Sequence, residues 1–296
     1  MTATAVARPT GTRTPDGPRR RRPTDWTGIG LWVSLVVTCL IWAIPFIFMF
    51  LTAVKTQADV STRPVWALPE LWAWGNFAEG AATGDLWNTG LNSLLVSVIK
   101  VPLGLLLAAA AAYALGTIRF RRHKLVVAIF AVGSMVPIQI ALGPLFNTML
   151  SLGLLDSLPG LILPYLAFGI PYQIFMLYGF FRAIPEEMIE SARVEGASTF
   201  RIFWQICLPM AKPALAALFI LDFVATWNEY AIAVTLLQSQ ANYTIPLAVQ
   251  NFSTQFSTDY GQLNAFIFMS AIPVLIVYLM FQRYFVQGAF AGSVKG

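Results

Sequence analysis

The sequence predicts an all-α integral membrane protein with six transmembrane helices, a cytoplasmic helix pair between the fourth and the fifth, and both termini in the cytoplasm. The first observation is composition: 57% of the residues are hydrophobic and only 11% are charged, whereas a soluble domain usually has about 25% charged residues. The second is that the apolar residues form long runs. The third is that Lys and Arg residues cluster between alternate runs, an asymmetry that sets the orientation of membrane proteins.

The chain begins with a basic segment, residues 1–25, which contains six arginines together with several Pro, Thr and Gly residues. This composition is typical of a disordered tail. The apolar run that follows is too long for the hydrophobic region of a signal peptide, and no small-residue cleavage pattern comes after it. We therefore interpret that run as an uncleaved first span and expect residues 26–296 to form the membrane domain.

A helix that crosses the hydrocarbon core needs about 20 mostly apolar residues. Six runs meet this requirement, and we expect the spans at about Ile29–Val54, Leu91–Ile118, Leu125–Met149, Gly160–Phe181, Ala214–Leu237 and Leu263–Phe281. Prolines interrupt the second, third, fourth and sixth runs. A proline kinks a helix and frees a backbone carbonyl, which a bundle tolerates because neighbouring helices satisfy the freed group.

The orientation follows from the basic residues. Sixteen Lys and Arg residues lie in the N-terminal tail, the second–third loop, the fourth–fifth loop and the C-terminus, whereas Lys55 and Arg63 are the two on the other side. Because cytoplasmic loops carry the excess of Lys and Arg, we place both termini in the cytoplasm, which requires an even number of spans.

The net charge of +5 could indicate a nucleic-acid partner. The basic residues, however, lie between apolar runs and in one N-terminal cluster, as they do in membrane proteins. We therefore expect contacts with membrane lipids and none with nucleic acid. The single histidine, His123, lies in a basic loop, and the two cysteines have no metal-binding spacing, so we expect no metal and no catalytic site.

The fourth–fifth loop, Ile184–Pro209, is too long and too patterned for a simple connection. Pro185 followed by two glutamates is a good helix start, and Ile184, Met188 and Ala192 would form its apolar stripe. Gly196 permits a break and Ser198 can cap a second helix, which we expect to end at Pro209. Its apolar face would consist of Phe200, Phe203, Trp204, Cys207 and Leu208, which recur at helical spacing. Such a pair could rest on the membrane surface, but its acidic first helix disfavours an anionic surface.

The residues of this loop resemble the EAA motif of ABC importer permeases. The match consists of Glu190, Ser191, Ala192, Gly196, Ala197, Ile206, Leu208 and Pro209. Ser191 departs from the usual pattern, which has alanine there, by a small-for-small change. The resemblance implies that the helix pair couples to an ATPase subunit, with Glu190 and Ala192 on the docking helix and Gly196 at the turn.

Further stretches resemble the carbohydrate-uptake, maltose-type permeases, and in particular their second, six-span subunit. They are Asn92-Ser93, Ala112–Leu115, Tyr178–Pro185, Trp227–Tyr230, Tyr284–Gly288 and the ending Ser293–Gly296. The resemblance covers roughly residues 29–296. It implies import of a sugar by alternating access, with a second, non-identical permease, two copies of an ABC ATPase and an extracellular or periplasmic sugar-binding protein as partners.

The chain itself has no phosphate-binding loop, because no Gly-x-x-x-x-Gly-Lys-Ser/Thr segment and no Gly-Lys pair occur in it. We expect this chain to bind no cofactor. ATP and magnesium would be used by the separate ATPase subunit.

Charged residues at membrane depth are costly and indicate a function by default. Lys100 in the second span and Asp222 in the fifth lie at depths that differ by only ~7 Å at the helical rise, so we predict an ion pair between them. The pair either fixes the register of the two helices or takes part in substrate passage or gating.

Trp227, Asn228, Glu229 and Tyr230 combine the aromatic and polar groups that bind sugars. On a continuous helix, residues 227 and 230 share a face and 228 does not, so at most half of the cluster would face the pathway. The cluster could instead contact the binding protein or the partner permease, or serve structurally between helices.

Three other functions stay open on the sequence. An ABC permease of the same architecture could import another solute, such as glycerol phosphate or a polyamine, although Lys100 is the only basic residue available to a phosphate in the pathway. A stand-alone channel or carrier would not need the 184–209 loop. A membrane enzyme would need a catalytic cluster at membrane depth, which the sequence lacks.

Overall fold

The computed structural model describes residues 26–118 and 121–291, so the predicted tail, residues 1–25, lies outside the described residues. Within them the chain is helical, with one isolated β-bridge between Ser253 and Thr258. The helices are α1 (Trp26–Ala53), α2 (Gln57–Thr62), α3 (Gly75–Thr83), α4 (Leu86–Thr117), α5 (His123–Gly133), α6 (Ile138–Ser151), α7 (Leu158–Arg182), α8 (Glu186–Val194), α9 (Thr199–Ile202), α10 (Leu208–Met210), α11 (Lys212–Trp227), α12 (Ala231–Leu236), α13 (Ile245–Ala248), α14 (Tyr260–Ser270) and α15 (Ile272–Ala291).

Four stretches are long and apolar enough to cross a membrane: Gly30–Ala53, Leu86–Thr117, Leu158–Arg182 and Tyr260–Arg283. Two bent helix pairs, α5 with α6 and α9–α10 with α11, would raise the number to six if each pair is one span. The all-helical membrane fold predicted from composition is therefore confirmed for the described residues. The described part forms two compact units, one ending at Phe46 and one beginning at Ile47.

The core of the second unit lies where α4 packs against α7 and α11. Ala108, Ala109 and Ala112 on α4 are fully buried and belong to one cluster with Leu177 and Phe223. Small side chains let helix backbones approach closely, which is how helices associate in a membrane. This core carries Lys100 and Asp222, two of the three charged residues that the sequence predicts at membrane depth; the third is Glu229.

The third predicted span, Leu125–Met149, is not one straight helix. α5 and α6 meet at an angle of 92° across residues 134–137. Pro137 has an extended backbone, with ψ of 126°, and it has no N–H to continue the hydrogen-bond ladder of α5. Proline in α4, α6 and α7 leaves those helices continuous, so proline alone does not identify the bend.

The fifth predicted span, Ala214–Leu237, is also interrupted. α11 ends at Trp227, residues 228–230 form a break, and α12 then begins at Ala231. The 16 residues of α11 cover about 24 Å at the helical rise, less than the ~30 Å of a hydrocarbon core. The polar segment expected inside a helix therefore lies at a helix end.

Candidate coupling loop and intramembrane polar site

The first helix of the 184–209 loop, α8, has its acidic residues Glu186 and Glu187 in the first turn and Arg193 in the last, as the helix dipole favours. Its buried side is formed by Ile189 and Ala192. The predicted stripe was wrong in one member, because Met188 is 40% exposed. Ile189, three residues before Ala192 on the same side of α8, is buried instead.

Gly196 forms the turn at the end of α8 with a φ of +83°. Its N–H donates to the Arg193 carbonyl and the Ala197 N–H donates to the Ala192 carbonyl, both at 2.9 Å. These two bonds are those of a Schellman motif, in which a left-handed residue, usually glycine, satisfies the last carbonyls of a helix. A Cβ at position 196 would meet nothing within 4 Å, so glycine is needed there for its backbone conformation and not for space.

The second helix of the loop begins as predicted, because Ser198 Oγ accepts a hydrogen bond from the Arg201 N–H at 3.3 Å. It then passes through a π-helical turn, Phe203–Cys207, and α10 before it breaks at Ala211. Pro209 therefore does not end the helix. Proline has no N–H, but the first N–H groups of a helical segment have no partner within that segment. α10 accommodates Pro209 in its first turn in this way.

The predicted apolar face of this second helix was wrong for two residues. Phe203 and Cys207 are buried, whereas Phe200 is 72% and Trp204 41% exposed. A π turn holds more residues per turn than an α-helix, so the spacing read from an α-helical period does not describe the face that is buried.

Tyr113 near the end of α4 joins the loop to the helix bundle. Its hydroxyl donates to the Thr199 carbonyl at 3.3 Å, and its ring centroid lies 5.2 Å from that of Phe203 and 6.1 Å from that of Phe181. The sequence indicated this residue only through family resemblance. An isolated aromatic residue at the end of an apolar run gives no other sign of a contact 86 residues away.

The eight residues of the motif divide by exposure. Ala192 is buried, while Ala197, Ile206, Leu208 and Pro209 are half-buried and Glu190, Ser191 and Gly196 are exposed. The loop also exposes two apolar side chains, Val194 at 89% and Phe200 at 72%. A cavity of about 920 Å³ lies between α8 and the neighbouring ends of α4, α5 and α7, and its charged lining includes Arg121, Lys124, Arg182, Glu190 and Arg193.

The structure brings Lys100 and Asp222 together. Lys100 Nζ lies 2.5 Å from Asp222 Oδ1 and 3.2 Å from Thr226 Oγ1, and the two charged side chains are 4% and 12% exposed. Gly169 on α7 makes room for this contact, because a Cβ there would lie 3.0 Å from Lys100 Nζ. The pair thus joins α4 to α11 and is closed on the third side by α7.

Polar atoms without a partner surround the ion pair. They are Ser97 Oγ, both amide atoms of Gln173 and Asp222 Oδ2, all buried in the structure. Gln173 is only 1% exposed. Neither Ser97 nor Gln173 is predicted from the sequence, although Gln173 is an amide side chain inside an apolar run.

The four residues of the Trp227–Tyr230 cluster have separate environments. Trp227 is buried and its Nε1–H donates to the Ser270 carbonyl at 3.2 Å. Asn228 is exposed and its amide donates to the Val224 carbonyl. Tyr230 is 44% exposed. The prediction that residues 227 and 230 share a helix face was wrong, because α11 ends between them.

Glu229 caps the helix after the break. Its carboxylate accepts from the Ile232 N–H at 2.8 Å and the Ala233 N–H at 3.2 Å, and the Tyr165 hydroxyl donates to it at 2.7 Å. The first N–H groups of a helix have no partner within it, so the carboxylate satisfies two of them. Tyr230 Oη in turn accepts from Gln250 Nε2 at 2.5 Å, so Asn228, Tyr230 and Gln250 form the polar surface at the break.

Asp156, in the loop between α6 and α7, forms hydrogen bonds with the loop that follows α12. Its carboxylate accepts from the Gln238 N–H at 2.9 Å, the Ser239 N–H at 3.0 Å and the Ser239 hydroxyl, and the Asn242 amide also contacts it. Desolvation alone would raise the pKa of Asp156, but these hydrogen bonds outweigh it and lower the pKa to about 2. The carboxylate is therefore ionised in the folded protein.

In the part of the chain that the structure describes, no group of three or more His, Cys, Asp or Glu side chains is placed to hold a metal ion. Cys39 and Cys207 are both free thiols. The chemistry of the described residues is thus that of hydrogen bonding, one buried ion pair and an exposed helical loop.

Comparison with known proteins gives a consistent result. A family model described as a binding-protein-dependent transport system inner membrane component matches residues 100–290. The diacetylchitobiose uptake system permease protein NgcG of Streptomyces coelicolor is 34% identical over 267 residues, which are 90% of this chain and 84% of that protein. The trehalose transport system permease protein SugB of Mycobacterium tuberculosis is 33% identical over 279 residues, 93% and 99% of the two chains.

Among solved structures, a bacterial ABC transporter involved in import of the acidic polysaccharide alginate is similar with a TM-score of 0.72 and 27% identity. The match covers 91% of this chain and all of that one. The family resemblance drawn from the 184–209 loop and the other stretches is thereby confirmed.

Proposed function

Because this chain belongs to the family of binding-protein-dependent transport system inner membrane components, we propose that it is the permease subunit of an ATP-driven importer for a sugar or oligosaccharide. Relatives named for the uptake of diacetylchitobiose and trehalose support the cargo class. The observation that carries the coupling to ATP is the helix pair after Ile184. It exposes Glu190, Ser191 and Gly196 of the motif and is joined to the bundle through Tyr113.

For the topology we propose six spans with both termini in the cytoplasm, a basic tail over residues 1–25 and a membrane domain over residues 26–296. The bent pair of α5 and α6 would then count as one span. The fifth span would be formed by α11, so that α9 and α10 stay in the cytoplasmic loop. The distribution of Lys and Arg supports the orientation, since sixteen of these residues fall on the proposed cytoplasmic side and two on the other.

We expect the 184–209 loop to dock on the ATPase. Glu190 and Ser191 lie on its exposed side, and Val194 and Phe200 are apolar side chains left uncovered nearby. Exposed apolar patches rimmed by polar residues mark interaction sites. Ala192, Ile206, Leu208 and Pro209 face the bundle more closely and would transmit movement, while Gly196 and Ala197 form the turn between the two helices.

The partners of this subunit would be a second, non-identical permease, two ATPase copies and a sugar-loaded binding protein. ATP and magnesium would be bound by the ATPase, and this chain would bind neither. Closure of the ATPase pair would move the 184–209 loop and open the bundle on the opposite side, and hydrolysis would reset it. In this cycle we expect Asn228 and Tyr230 to contact sugar hydroxyls, because both are exposed at the helix break. Trp227 and Glu229 are less suited to this contact, because they already form hydrogen bonds within the protein.

Co-purification from the native membrane after mild solubilisation tests this proposal. We expect an ATPase, a second permease and a binding protein to accompany the chain, and the ligand of that binding protein then identifies the cargo. A glycerol phosphate or polyamine ligand would replace the sugar while leaving the coupling intact. Recovery of the chain alone under all conditions would refute the importer assignment and favour a stand-alone carrier or channel.

Two loop variants test the docking surface. Gly196→Ala places a side chain where φ is +83°, at a cost of about 1–2 kcal/mol, which corresponds to roughly tenfold weaker association if the bound state requires this turn. Glu190→Ala removes an exposed charge of the motif. Gly179→Ala on α7 is the matched control, because a Cβ there also meets nothing within 4 Å but the backbone is helical. Equal ATPase recovery from all three variants would contradict the docking assignment.

A further inference from the structure

A buried polar column runs between α4, α7 and α11. On α4 it contains Ser97 and Lys100, and on α11 it contains Asp222 and Thr226. On α7 it contains Gln173, one helical turn beyond the glycine at 169 that lies against Lys100. The most exposed of these polar residues is Asp222, whose side chain is 12% exposed, and the other four are buried. Within an otherwise apolar core, the column needs a hydrogen-bond partner for every polar atom.

The direct contacts leave that requirement unmet. Lys100 Nζ contacts Asp222 Oδ1 and Thr226 Oγ1, but Asp222 Oδ2, Ser97 Oγ and both atoms of the Gln173 amide have no partner. Ser97 lies one turn from Lys100 toward the start of α4, whereas Gln173 lies against Gly104, one turn toward its end. The unpaired atoms therefore flank the ion pair on both sides, about 10 Å apart along α4.

We propose that the column is an internal water-binding site, with water molecules held on each side of the Lys100–Asp222 pair by Ser97, Gln173 and the free Asp222 oxygen. The missing partner must both donate, to Gln173 Oε1 and Asp222 Oδ2, and accept, from Gln173 Nε2. Water does both. A cation is excluded because the carboxylate is already neutralised by Lys100 at 2.5 Å, and an anion is excluded by the free carboxylate oxygen.

The glycine at position 104 lets α4 approach α7 closely beside the Gln173 amide. A Cβ at position 104 would lie 3.2 Å from Gln173 Oε1 and 3.2 Å from Leu166 Cδ2. Glycine thus keeps a methyl group away from the unpaired amide, and Leu166 lies beside the same position. A sugar ring cannot reach this place in the described conformation, because Ser97 and Gln173 are 0% and 1% exposed.

Radiolytic footprinting of the full-length protein in native-membrane nanodiscs tests the site. Hydroxyl radicals form at bound water and oxidise the side chains beside it, and a scavenger in the bulk solvent does not suppress them. We expect scavenger-resistant oxidation at Leu166 well above that at Leu177, which is fully buried on the same helix in apolar surroundings. Equal oxidation of Leu166 and Leu177 in the unaltered protein would overturn the proposal.

Gly104→Ala supplies a second test, since its methyl group would displace the water at the Gln173 amide. We expect scavenger-resistant oxidation at Leu166 to fall to the level of Leu177. Gly90→Ala on the same helix is the matched control, because a Cβ there has its nearest neighbour at 4.0 Å, and it should leave oxidation unchanged. Persistence of the signal in Gly104→Ala would also refute the site. If that variant does not fold, the comparison of Leu166 with Leu177 in the unaltered protein decides alone.

Discussion

Replacing either member of the Lys100–Asp222 pair should destabilise the protein far more than replacing both. Lys100→Met leaves an uncompensated carboxylate that is 12% exposed, and Asp222→Leu leaves an ammonium group that is 4% exposed. Breaking one side of a buried pair costs about 3–5 kcal/mol, whereas replacing both partners with apolar residues of similar volume is often neutral or stabilising. The single variants should therefore each lose about 3–5 kcal/mol of unfolding free energy, and the double variant should recover most of it.

The measurement is a double-mutant cycle on unfolding by SDS in mixed micelles, with transport assayed in parallel. Lys100→Met combined with Asp156→Ala serves as the control pair, because Asp156 lies in a loop and contacts residues 238–242 instead. Distant, independent sites add to within about 0.5 kcal/mol, so the control should be additive. If the double variant at 100 and 222 were as unstable as the sum of its single variants, the ion pair would not be an energetic unit. If the double variant at 100 and 222 were fully stable but did not transport, the pair would have a role in gating.

Three further predictions concern single residues outside the ion pair. The carboxylate of Asp156 has a folded pKa of about 2 against an ordinary 3.8, so its stabilisation is present above about pH 4 and is lost as pH falls toward 2. Thermal melts should show this loss of stability at acid pH in the unaltered protein and a smaller loss in Asp156→Asn. Glu229→Ala leaves two N–H groups of α12 without their acceptor, and loss of a cap should cost about 1–2 kcal/mol of unfolding free energy, while Glu229→Gln should retain most of it. Trp227→Phe removes the hydrogen bond to the Ser270 carbonyl. Chemical unfolding should show a loss of about 0.5–1.5 kcal/mol of unfolding free energy, while Asp222 keeps its position on α11.

The features that the sequence predicts well are those set by local chemistry. Long apolar runs predict spans because backbone groups in a membrane must bond within a helix. Gly196 forms the predicted turn and Ser198 caps the predicted second helix. Both features depend only on the residue itself and its near neighbours. Lys100 and Asp222 form an ion pair because an apolar bundle offers each of them few other polar partners.

The features that were predicted wrongly depend on contacts between distant segments. The span that contains Pro137 bends by 92°, whereas Pro102, Pro164 and Pro171 lie within continuous helices. The presence of a proline therefore does not predict the bend. The break after Trp227 is stabilised by Glu229 with Tyr165, 64 residues away. The π turn after Ile202 changes which side chains are buried, and no periodicity in this stretch distinguishes it from an α-helix.

The proposed coupling loop is connected to both members of the ion pair. α11 follows the loop directly from Lys212, and Asp222 lies ten residues along it, about 15 Å at the helical rise. α4 is fastened to the loop through Tyr113, and Lys100 lies thirteen residues back along that helix, about 20 Å away. A displacement of the loop therefore acts on α11 through the chain and on α4 through a hydrogen bond and ring packing. If the two helices shift relative to each other as a result, the contact between Lys100 and Asp222 would oppose that shift.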